Sequence, residues 1–179
     1  MLRLRLALAV ALVALPTAGA TGAPLGATRL RPQSTRIAGW LSLGLERSPT
    51  MRALVDHVAR GDVVVYLEIL HTLDPDMAAC VTWMAAVPGA RYVRVSMRPN
   101  LRAPEAIAML AHELQHVVEV IEHPDVRSGA SLAALYERIG HRTGVAMRTF
   151  DTVAALRAGD TARVEMVRGV QVPLRSSGA

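Results

Sequence analysis

Apolar positions change their period several times along the chain, and each change marks an element. After Ser48 and Pro49, a capping residue and one suited to the first helical position, Met51, Leu54, Val55 and Val58 recur at helical spacing until Gly61. Asp62 to Leu70 (DVVVYLEIL) replaces that spacing with a β-branched run, which predicts a strand. Ala79 to Ala85 and Ala90 to Met97 predict two more, joined as a hairpin through Pro88-Gly89. In the latter, Val93, Val95 and Met97 alternate with Tyr92, Arg94 and Ser96, so one face is buried. Helical spacing returns from Pro104 to Glu122, where His123-Pro124 stops it, and over Leu132, Leu135, Tyr136 and Ile139 as far as Gly140. A last helix runs from about Asp151 to Val167, weakened at Gly159. This order predicts an α+β fold: a small antiparallel sheet of three strands packed with helices. Residues 21–47 mix Gly, Pro, Thr and Arg without a sustained period and read as an N-terminal tail, leaving residues 48–179 as a single domain.

The first 20 residues read differently. Arg3 and Arg5 precede an apolar run from Leu6 to Leu15, then Pro16 and the small-residue box Ala18-x-Ala20, with Thr21-x-Ala23 next. That is the order of a secretory signal peptide, so the expected protein is exported to the periplasm or the medium. Ten apolar residues make about 15 Å of helix, half of a hydrocarbon core, and no later segment is long enough to span one, so no stable membrane span is expected after cleavage. One cysteine, Cys80, in an exported chain excludes an internal disulfide and reads as a small buried hydrophobe.

The net charge is +5, and all 20 basic residues are arginine. These arginines are scattered rather than clustered, and six aromatic residues in 179 leave little for a base-stacking platform, so nucleic acid is not an expected partner.

The helix from Pro104 carries His112-Glu113-Leu114-Gln115-His116, an HExxH sequence. Residues four apart share a helix face one turn apart, so both imidazoles can reach one zinc ion while Glu113 projects beside it, placed to take a proton from an activated water and pass it to a leaving amine. Ile107, Leu110, Leu114, Val117, Val118 and Ile121 form the apolar stripe of this helix, and Glu105, His112, His116 and Glu119 share the other side. That side reads either as a cleft lined by ligands and their supports or as a solvated face.

A strand pair, a helix bearing HExxH and a carboxylate on a later helix resemble the zincin metallopeptidases, in particular the gluzincins and the small minigluzincins. His112 to Glu119 (HELQHVVE) is also similar to small exported bacterial HExxH proteins of undefined substrate. The resemblance implies a peptide or protein substrate held along the strand before the site helix, here Ala90 to Met97, and a third protein ligand for the metal. The histidine of the extended metzincin motif is absent, since Glu119 and Glu122 occupy the relevant positions. Asp151 then reads as the third ligand or as an ordinary helix cap, and Glu137 as a ligand at more usual spacing or as a solvated charge. Asp151 shares a stripe with Ala154, Ala155, Ala158 and Ala162, small side chains that let its helix come close; a glutamate would be usual there, so aspartate demands either closer helices or a weaker site. Glu119 reads as a support for the ligands, and His141 either as a donor to a tetrahedral oxyanion or as a solvent-exposed loop histidine. Two functions follow: an exported zinc-dependent peptidase with Glu113 as general base, or a non-catalytic exported binding or envelope protein on a degenerate zincin scaffold.

Overall fold

The computed structural model describes residues 29–73, 77–142 and 150–168; the expected signal peptide lies outside them. The chain folds as an α+β domain: β1 (Leu30–Pro32), α1 (Thr35–Arg47), α2 (Pro49–Arg60), β2 (Val63–Ile69), β3 (Ala79–Val87), β4 (Ala90–Met97), α3 (Ala103–Glu122), α4 (Gly129–Ile139), β5 (His141–Arg142), β6 (Phe150–Asp151) and α5 (Val153–Arg168).

The expected hairpin forms, with Gly89 in the left-handed region (φ 79°) that its turn requires. The sheet around it differs from expectation. It has four strands rather than three and is mixed rather than antiparallel, in the order β1-β2-β4-β3, with β1 and β4 both parallel to β2 and β3 antiparallel to β4. Burial explains the order. Val93, Val95 and Met97 of β4 and Val63, Val65 and Leu67 of β2 are fully buried, whereas β3 exposes Met84 and Val87 and belongs on the edge. Hence β4 has both edges taken, and β3 is the strand left to border a cleft, contrary to the role expected for Ala90 to Met97.

Residues 29–47, expected as part of an irregular tail, contribute β1 and α1. Ser34 caps α1 by accepting from the Ile37 amide, and Ile37, Trp40, Leu41 and Gly44 bury one face. Pro32 is tolerated because β1 lies at the sheet edge. α2 begins as expected: Ser48 accepts from the Met51 amide and Pro49 opens the helix.

α3 is the central helix, packed on β2, β3 and β4 and flanked by α1, α2 and α5. Its last turn carries no basic residue, and its terminal carbonyls are met from the sheet instead. The guanidinium of Arg91, 1% exposed, donates to the carbonyls of Val120 (2.7 Å), His123 (2.8 Å), Ile121 (3.3 Å) and Val126 (3.3 Å), and to Asp62 at 2.6 and 2.8 Å. One strand residue thereby satisfies the end of the site helix and fixes its position over β4. Arg91→Leu is expected to cost about 2–4 kcal/mol in a urea titration, because it leaves buried carbonyls without donors. The hydrogen bond from Arg91 and its charge hold the Asp62 carboxyl below the usual range. A folded-state pKa that is depressed gives stability above the ordinary carboxyl pKa that is lost as pH falls through the lowered one, so Asp62→Asn should flatten the acid limb of the stability curve.

Candidate metal centre

Two elements bring the centre together. α3 contributes His112, Glu113, His116 and Glu119, and the junction of β6 with α5 contributes Asp151 and Thr152. The apolar stripe of α3 is buried as its periodicity predicts, with Ile121 only half-buried, and the histidines on the other side face α5 rather than water. His112 is partly buried, while Glu113, His116 and Glu119 are 5%, 6% and 6% exposed.

Asp151 Oδ1 lies 3.3 Å from His112 Nε2 and 3.7 Å from His116 Nε2, and one ligand atom from each of the three residues lies within 4.8 Å of the others. A tetrahedral ion bonded at about 2.0–2.1 Å separates its ligands by about 3.3–3.4 Å, so the two imidazole-to-carboxylate spacings are close to those of a coordination sphere. The group His112, His116 and Asp151 could therefore hold a metal ion. Asp151 is not the helix cap. Thr152 has that role, its Oγ1 accepting from the Ala155 amide at 3.1 Å, which leaves the Asp151 carboxylate to the histidines and to the Thr152 amide (2.8 Å).

An aspartate reaches this far because α5 lies close to α3. Ala155, Ala158 and Ala162 are buried between helices, although Ala154 is exposed. Gly159, expected to weaken the helix, is instead the point of closest approach: a Cβ there would lie 3.2 Å from the Ala108 carbonyl oxygen and 3.3 Å from His112 Cβ.

The imidazoles are oriented by partners behind them. His116 Nδ1 is 2.9 Å from Glu119 Oε2; donation from Nδ1–H to that carboxylate leaves the Nε2 lone pair free on the Asp151 side. Thr152 Oγ1 donates in turn to Glu119 Oε1 at 2.5 Å, so the α5 cap and the His116 support are one network. Tyr136 of α4 donates to the His116 carbonyl at 3.1 Å and sets its ring edge-on to the imidazole, 5.2 Å between centroids. Thr152, Tyr136 and Gly159 were not legible as site residues from the motif; the only sequence signal was the neighbour relation of Thr152 to Asp151. Thr152→Val keeps the shape but removes the hydroxyl. It should weaken metal binding about 10- to 100-fold by competition with a chromophoric chelator, and cost about 1 kcal/mol of stability through the lost cap.

Burial pushes the Glu113 carboxyl up to about 7, with Asp151 adding to the effect and His116 opposing it. Burial likewise holds His112 below its usual value, which favours the neutral ring a metal needs, with Asp151 pulling the other way. For His116 burial also opposes the charge, but the Glu119 hydrogen bond and the Glu113, Glu119 and Asp151 carboxylates outweigh it and raise the value.

These groups open onto a cavity of about 620 Å³ between β3, α3, α4 and α5. Ala79, Cys80 and Val81 of β3 form one wall, so Cys80 is a half-buried cleft residue rather than a core one. Burial pushes its thiol up to about 11, with the Glu113 and Glu68 carboxylates contributing. His141 does not line this cavity: it is exposed on β5, paired through its backbone with Asp151. Glu137 is exposed on α4 and does not join the metal-ligand group. Glu105 accepts from the Arg102 amide at 3.3 Å at the start of α3, and so supports the helix rather than the site.

No protein-family model, curated protein or solved structure matches the chain. Among the described residues, no helix is long and apolar enough to cross a membrane.

Proposed function

We propose that this chain is an exported zinc-dependent peptidase of the zincin kind. The observation that carries the reading is the convergence of His112, His116 and Asp151 on one point, with Glu113 buried beside them in an open cleft. Two imidazoles and one carboxylate grouped within 4.8 Å suit zinc, and three protein ligands leave a position open. When bound, zinc supplies Lewis-acid activation of a water molecule and of the substrate carbonyl. Glu113, brought near neutrality by burial, takes up a proton and releases it to the departing amine at the same pH. Glu119 and Thr152 hold the His116 ring in place throughout, and Asp151 offsets the positive charge. The edge strand β3 forms one wall of the cleft along which an extended peptide can lie. The basic start and short apolar run support export.

Incubating the zinc-loaded full chain with a quenched-fluorescent peptide library tests the function. Cleavage that stops with a chelator and returns with zinc is expected. A protein that binds zinc and cleaves no peptide would transfer the site to a binding role.

A further inference from the structure

Among the described residues, the cleft has one arginine in its lining. Arg163 of α5 lines it together with Asp160 and Met109, and the other charged lining groups are Glu113, Asp151 and the histidines. Among the described residues Arg163 takes part in none of the ion pairs, and it is exposed. Its neighbour Asp160, three positions earlier, does not neutralise it through an ion pair. Arg163 therefore brings a guanidinium to the cavity lining with no hydrogen bond or ion pair to the described residues, which suits a planar carboxylate.

Gly159 lies against His112, and Arg163 follows one turn further along the same helix, at the far side of the cleft from Asp151. We propose that Arg163 is a specificity-determining residue that binds a carboxylate of the peptide substrate lying in the cleft beyond the metal centre. This inference rests on the peptidase reading above and names its substrate class: peptides carrying a carboxylate, from a free C-terminus or from an acidic side chain.

The test is binding rather than turnover. Zinc-loaded full-length Glu113→Gln protein is titrated with acetylated alanine-leucine pentapeptides in three forms: a free C-terminal acid, a C-terminal amide, and an amide with one internal aspartate. An acid-bearing peptide should bind about 5- to 10-fold tighter than the neutral amide, with the preference lost in 1 M salt. Arg163→Gln should abolish the preference and Arg163→Lys should retain part of it; the exposed position makes both compatible with folding. Preference for the terminal acid identifies the C-terminus as the source, and preference for the internal aspartate identifies a side chain. Equal affinity for all three forms, or a preference that survives Arg163→Gln, would overturn the inference while leaving the peptidase reading intact. Failure of every peptide to bind would overturn the inference, and the library cleavage assay decides the peptidase reading separately.

Discussion

Replacing Glu113 with glutamine should leave the metal and the fold in place and slow peptide hydrolysis by on the order of a hundred- to ten-thousandfold. Glu113 is 5% exposed and adjacent to His112, yet it is not one of the three grouped ligand residues. Glutamine fills nearly the same volume, and its amide cannot accept the proton that a carboxylate accepts. Burial already disfavours the Glu113 charge, so the neutral amide should not destabilise the cleft. Turnover of a fluorogenic peptide, metal content and a thermal melt on the same preparation separate these effects. A variant that retains zinc and cleaves at the wild-type rate would remove the general-base role.

Asp151→Ala is expected to weaken metal binding by more than about a hundredfold, whereas Glu137→Ala should leave it unchanged. A missing supporting residue costs about 10- to 100-fold, and a missing ligand costs more. The expectation is specific because Thr152 caps α5, so removing the Asp151 carboxylate does not by itself unwind the helix start. Glu137 is exposed on α4, apart from the grouped ligands. Competition titration against a chelator of known affinity reads both variants, and the reverse ranking would transfer the third ligand to α4.

Much of the site helix was legible because its information is local. Four-residue spacing places His112 and His116 on one face whatever surrounds the helix, and the Pro88-Gly89 turn specifies a hairpin from a few residues. The sheet order was not legible, because strand pairing is decided by which strands can be buried on both edges. β3 has eight apolar residues of nine and β4 only five of eight, yet β4 is central and β3 is at the edge. α1 was hidden by Gly39 and Gly44, which interrupt helical propensity within an otherwise regular run of Ile37, Trp40 and Leu41. The choice between Asp151 and Glu137 depended on how near two helices lie. The alanine stripe of α5 signalled a close helix, but the contact of Gly159 with Ala108 and His112 that sets the distance is tertiary and lies outside that stripe. The alternation of β4 puts Arg91 on the same face as Val93 and Val95, and only the end of α3, some 30 positions away, explains why a charge is buried there.

Elemental analysis of the purified full-length protein, beside a His116→Ala variant shown to be folded by circular dichroism, tests the central claim most directly. One zinc per chain is expected in the wild type and none retained by the variant after dialysis, since two remaining ligands hold zinc poorly. Equal zinc in both proteins, or a wild type that takes up no zinc on reconstitution, would contradict it.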